Sequence, residues 1–198
     1  MAQIDYYVFT LSPFCYLAGT KMEEIAARHG AAIRYRPFAL QKVFEMTGTK
    51  PVGERHPSRQ RYRLQEMRRI AKLEGLPINL QPRYWPTNPV PSSAAIIAAQ
   101  EAGGGDLGGL VHGFLRACWA EDRDIAEDAV VREILSVHGF DSKLADSGLV
   151  KGVETYERNS QAALDAGVFG APTYVVGEEL FWGQDRLSHL DAHFAGRL

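Results

Sequence analysis

Apolar and aromatic residues crowd into the run Ile4-Asp5-Tyr6-Tyr7-Val8-Phe9, which predicts a short strand. A helix is expected next, opening at Ser12 or Pro13 and running to about His29, where Gly30 stops it. Ile33-Arg34-Tyr35-Arg36-Pro37 alternates in character and predicts a second strand. A β-α-β start of this kind takes a right-handed crossover and parallel pairing. The middle of the chain then carries helical periodicity. Residues 59–74 form a basic amphipathic helix ended by Gly75, and 92–101 an Ala/Ile helix with a serine start. Helices are also expected at 107–122, 128–138 and 150–166, with a short one near 142–145. Gly103-Gly104-Gly105 reads as an inter-helix loop, since no strand precedes it and no Lys-Ser/Thr follows. Residues 174–176 and 179–182 predict a hairpin around Gly177, and 186–194 a closing helix.

Composition narrows the class. With 198 residues, 45% apolar and 23% charged, the chain reads as an ordinary soluble globular protein with a large core. A net charge of -2 gives no whole-protein reason to expect nucleic acid or an anionic membrane. The first residues lack the basic and apolar regions of a secretory signal, and no window is apolar enough to span a membrane. Cys15 and Cys118 are far apart, and neither they nor the six histidines form a metal pattern. A reduced, cytoplasmic protein is the expectation.

Two segments carry the chemistry. Ser12-Pro13-Phe14-Cys15 follows the first strand and opens a helix. It has the layout of a thioredoxin-type Cys-x-x-Cys turn with serine in place of the first cysteine. Gly170-Ala171-Pro172-Thr173 supplies the X-Pro that such folds set opposite the turn, expected here in cis. The element order then reads as an α/β thioredoxin fold interrupted by an all-helical insertion domain. Residues 1–42 and 150–198 make the thioredoxin-like domain and 43–149 the insertion. The terminal pieces are too small to fold alone, so both regions are expected to pack as one cooperative unit. Without the redox nucleophile, the site is read as holding another molecule's thiol, with glutathione the obvious candidate.

Several residues have two readings. Ser12 before Pro13 is a good helix cap, and the same hydroxyl can donate to a bound thiolate. Together with the helix dipole, that bond lowers the thiol's pKa. No base is placed for Ser12, so it is read as an activator. Cys15 is a small apolar filler or a resolving thiol without a partner, and Cys118 is core. Lys50, Arg55, Arg59, Arg61, Arg63, Arg68 and Arg69 form a basic stretch read mainly as a solvated helix face. It lacks the interleaved aromatics of single-strand nucleic-acid binders. Tyr84, Trp85 and Asn88 make either a substrate wall or a proline-rich connection packed by its aromatics.

Ser12-Pro13-Phe14-Cys15-Tyr16-Leu17-Ala18, Gly48-Thr49-Lys50-Pro51, the segment from Phe169 to Val176, and Phe181-Trp182-Gly183-Gln184-Asp185-Arg186-Leu187 share one resemblance. The chain resembles the 2-hydroxychromene-2-carboxylate isomerases, within the kappa-class glutathione transferase and DsbA-like group. The resemblance implies glutathione as cofactor, a homodimer, and interconversion of a bicyclic chromene carboxylate with trans-o-hydroxybenzylidenepyruvate in aromatic catabolism. It implies Ser12 as the catalytic residue, and Ser12, Phe14, Ala171, Pro172, Gln184 and Asp185 around glutathione. Lys50, Arg59, Trp85 and Asn88 would face the small aromatic substrate. Lys50 and Arg59 could instead meet the glycine carboxylate of glutathione. Asp185 either pairs with the γ-glutamyl ammonium or caps the last helix. The same site would also serve a kappa-type transferase or peroxidase, or a glutathione-binding protein without chemistry. Ser12 disfavours disulfide exchange.

Overall fold

The computed structural model describes residues 2–198. Its strands are β1 (Gln3–Val8), β2 (Ala32–Pro37), β3 (Thr173–Val176) and β4 (Glu179–Trp182). Its helices are α1 (Pro13–Leu17), α2 (Lys21–His29), α3 (Leu40–Thr47), α4 (Pro57–Glu74), α5 (Val90–Ala102), α6 (Leu107–Trp119), α7 (Asp128–Val137), α8 (Leu144–Ser147), α9 (Leu149–Asp165) and α10 (Leu187–Phe194). The strands make one sheet in the order β2-β1-β3-β4. β1 runs parallel to β2 and antiparallel to β3, which turns back into β4. This is the expected thioredoxin fold interrupted by helices.

β1 lies inside the sheet with both edges paired, and four of its six residues are buried. In register, Tyr6 sits beside Tyr35 on one side and Tyr174 on the other. Their rings lie 5.6 and 4.8 Å from the Tyr6 ring, so three tyrosines cross the sheet in one row. Cross-strand aromatic pairs of this kind help fix strand order. α5 is buried along every position from Ser92 to Ala99, which suits a helix packed on several sides. It meets both β2 and α9. At the α5–α9 crossing, a Cβ on Gly152 would lie 2.7 Å from the Ala94 Cβ, so only glycine permits that approach.

The expected single helix from Ser12 to His29 is two helices. Gly19 takes φ +59 and breaks the run, and α2 starts afresh after Thr20, whose hydroxyl donates to Glu24 at 2.7 Å. α3 was not anticipated. It ends at Gly48 in the left-handed region, and the expected boundary at residue 43 falls inside it. The closing helix is preceded by a 3-10 turn, Gln184–Arg186.

Candidate active site

The chain leaves β1 and turns sharply, with the Ser12 N–H donating to Phe9 C=O at 2.8 Å. Ser12 then caps α1: its Oγ accepts from the Cys15 N–H at 3.3 Å. The hydroxyl proton goes to the Ala171 carbonyl, also at 3.3 Å. That is long for O–H···O, where about 2.7–2.8 Å is usual. The Ala171–Pro172 peptide is cis, as expected. Pro172 C=O accepts from the Gly183 N–H at 2.9 Å and ties the Gln184–Arg186 turn to the same spot. Ser12 is 5% exposed, so this junction is enclosed and reached from one side.

Two adjoining cavities open here. One, of about 780 Å³, is bordered by Phe14, Ala171, Trp182 and the Gly183–Arg186 segment. The other, of about 900 Å³, is bordered by Ser12, Phe9, Leu11, Phe44, Trp85 and Phe169. Both sizes suit a small-molecule site. Arg55, Arg59 and Arg63 border both cavities.

Those three arginines set the charge. Arg55 donates to Lys50 C=O at 2.9 Å and stacks over Phe44 at 5.6 Å. Arg63 lies over Trp85 at 5.5 Å and Trp119 at 5.9 Å. Burial, aided by the Arg55 charge, pushes the Arg63 guanidinium down to about 10. Burial and the Arg59 charge lower Arg55. Arginine stays cationic at neutral pH, and neither Arg55 nor Arg63 makes an ion pair among the described residues. Such a pocket favours an anion.

The expected site residues divide. Ser12, Phe14, Ala171, Gln184, Asp185, Arg59, Lys50 and Trp85 border one cavity or both. Pro172 is buried behind Ala171. Asn88 lies outside both cavities. It is exposed, and its side-chain oxygen accepts from the Val90 N–H at 3.0 Å where α5 begins, so it is a turn residue. Asp185 makes no helix-capping bond; its carboxylate pairs with Arg186 at 2.7 Å. Trp85 donates its indole N–H to Leu11 C=O at 3.0 Å, which fixes it beside Ser12. Cys15 is fully buried, and burial pushes its thiol up to about 11, so it stays protonated.

Sequence reading placed Arg63 on a solvated face. The structure turns it inward. Arg59, Arg63, Met67 and Ala71 recur every four residues, and the last two are buried, which is the signal that could have found it. Trp182 was also missed. It closes the site from β4, and a Cβ on Gly170 would lie 2.2 Å from its indole nitrogen.

Comparisons with known proteins agree with this geometry. The DsbA-like thioredoxin domain family matches residues 3–195. A 2-hydroxychromene-2-carboxylate isomerase from Pseudomonas putida is 30% identical over 98% of this chain and 95% of its own length. Glutathione S-transferase kappa 1 from Caenorhabditis elegans is 25% identical over 97% of this chain and 90% of its own. A solved 2-hydroxychromene-2-carboxylate isomerase superposes with a TM-score of 0.78 at 25% identity, covering 98% of this chain and 95% of that one. A probable DsbA oxidoreductase from Streptomyces coelicolor shares the fold, with a TM-score of 0.77 at 16% identity, over 100% of this chain and 92% of that one. The chain belongs to the DsbA-like thioredoxin family, in its group of 2-hydroxychromene-2-carboxylate isomerases and kappa-class glutathione transferases.

Proposed function

We propose that this chain is a glutathione-dependent isomerase acting on 2-hydroxychromene-2-carboxylate-type aromatics, interconverting them with trans-o-hydroxybenzylidenepyruvate. One observation carries the reading. Ser12 offers a hydroxyl proton beside the Ala171–Pro172 peptide, held only by a 3.3 Å bond at the cavity edge. A thiolate is a better acceptor for that proton than the carbonyl, because charge-assisted bonds are about twice as strong.

The residues present fit glutathione. The Ala171 N–H makes no hydrogen bond among the described residues, and Ala171 borders both cavities. Gln184 and Asp185 border the first cavity, where they suit the γ-glutamyl carboxylate and ammonium. When bound, glutathione supplies the thiolate that allows the ring to open. Ser12 holds negative charge on sulfur by donating its hydrogen bond. α1 is only five residues long, so this hydroxyl carries more of that task than any helix dipole. Phe14 and Trp182 wall the site against water, and Trp85, Phe44 and Phe9 present apolar surface to an aromatic ring. The chain is proposed to work as a homodimer, sedimenting at about twice its 22.0 kDa mass.

The relative named glutathione S-transferase kappa 1 supports a second reading, conjugation to other electrophiles. Incubation with 2-hydroxychromene-2-carboxylate, with and without glutathione, separates the two. The isomerase reading expects approach to equilibrium that requires glutathione while its concentration stays constant. Stoichiometric loss of glutathione favours the transferase. No conversion under either condition overturns the isomerase.

A further inference from the structure

Arg63 stands apart from the other cations of α4. Arg61, Arg68 and Arg69 are exposed, whereas Arg63 turns toward the core on the row it shares with buried Met67 and Ala71. Fifteen ion pairs join described residues, and none includes Arg63, Arg59 or Arg55. A guanidinium carries five donors in a planar fork. Those of Arg63 make no hydrogen bond or ion pair among the described residues, and two indole faces lie against the group. Arg63 is half-buried and lines both cavities, so its fork faces the space a ligand would fill, and an anion there would take the place of water.

The surroundings say what kind of anion. Trp85 joins Arg63 to the reacting end of the site: the guanidinium stacks on its ring, and its N–H is bound to Leu11, the residue before Ser12. The cation thus sits one indole away from the hydroxyl expected to hold sulfur. The walls here are Phe9, Leu11, Phe44 and Trp85, which suit a flat ring better than a peptide backbone. Gln184, Asp185 and Arg186 border the first cavity alone, whereas Arg63 also lines the second, beside those aromatic walls.

We propose that Arg63 reads the carboxylate of an aromatic substrate lying along Trp85, and that it sets the preference of this site for anionic over neutral aromatics. This rests on the functional reading above for the place of the thiol, though not for the identity of the reaction. Arg59 and Arg55 add attraction from the exposed side. The repulsion between Arg63 and Arg55 is offset when an anion arrives between them.

The test is binding by calorimetry at neutral pH, using coumarin-3-carboxylate and coumarin-3-carboxamide as probes of one ring system and two charges. Wild-type protein is expected to bind the carboxylate roughly ten-fold more tightly or better, the scale of a charged hydrogen bond. Arg63→Met should erase that preference while glutathione affinity stays within about two-fold. Three results overturn the proposal: no preference in the wild type, a preference that survives Arg63→Met, or an equal loss of glutathione affinity. If Arg63→Met melts early by circular dichroism, Arg63→Lys decides. Lysine keeps the charge but loses the fork and the stacking, so the preference should drop about three-fold or more, and an unchanged preference overturns the assignment. A wild type that discriminates the probes but does not bind glutathione leaves Arg63 assigned and sinks the glutathione dependence instead.

Discussion

Ser12 and Arg63 approach the same cavity from different halves of the molecule, and they differ in who partners them. Ser12 comes from the thioredoxin-like part. Its oxygen accepts from the Cys15 N–H and its proton goes to Ala171, so its position is set by backbone atoms. Arg63 comes from the helical segment. It lies against two indole faces and makes no ion pair among the described residues. On the proposed reading the sheet end places the sulfur, and the helical end offers charge to the ligand. Reaction geometry and ligand choice are separable in such a molecule, and mutations on the two sides should separate them.

The largest break is expected on the sheet side. Ser12→Ala removes a hydrogen bond to a charged group, worth about 1.5–3 kcal/mol, so kcat/KM should fall roughly ten- to a hundred-fold. The cap is lost as well, which costs on the order of 1 kcal/mol of stability and is read from the melting curve. Full activity in Ser12→Ala would reduce the residue to a cap.

Asp185 sharpens the comparison. It belongs to the sheet side yet resembles Arg63 in being a charge at the cavity edge, exposed and, among the described residues, paired with Arg186. Asp185→Asn is expected to weaken glutathione by about ten-fold and a des-amino analogue far less. Calorimetry with both ligands on both proteins completes the cycle. Equal losses for the two ligands would show that Asp185 does not read the amine.

A smaller effect is expected from a half-buried charge whose partners lie within the chain, although one of its oxygens, Glu23 Oε2, has none among the described residues. Glu23 Oε1 accepts from the Tyr35 hydroxyl at 2.7 Å and meets His112 Nε2 at 3.1 Å. Burial pushes its carboxyl up, but those bonds and the His112 charge outweigh it and hold the group below the usual 4.5. A depressed folded-state value stabilises above the unfolded value and loses that contribution as pH falls through the folded one. Denaturation midpoints should therefore decline below about pH 4.5, and Glu23→Gln should flatten the decline.

The smallest effect is expected at Cys15. Its thiol is buried and pushed up to about 11, so alkylating reagents should leave it unmodified in the native protein. Cys15→Ala should keep activity within about three-fold, since no resolving thiol is needed. Rapid alkylation, or loss of turnover beyond the loss of stability, would restore a redox role.

The same contrast explains what the sequence discloses. Ser12-Pro13 and Ala171-Pro172 are legible because backbone-determined features write local signatures: a cap, a first-turn proline, a proline before a strand. The four strands and most helices follow from periodicity for the same reason. Gly19 was harder, because one glycine inside a helical pattern is usually tolerated, and here it ends α1. α3 carries a short, broken apolar stripe with only Val43 buried, too little to stand out. Arg63 was hidden for a different reason. Charge dominates the composition of α4, and its inward direction shows only through the four-residue spacing to Met67 and Ala71. Asn88 misled because an asparagine among prolines serves a turn as readily as a ligand.

The central claim, that the Ser12 turn stabilises a bound thiolate, is met most directly by ultraviolet titration of glutathione in the binary complex. The account expects the thiol to ionise well below the roughly 8.5 of a free cysteine thiol. It expects Ser12→Ala to return it upward by about one to two pH units. A bound thiol that titrates like free glutathione, or one whose titration is unmoved by Ser12→Ala, would contradict it.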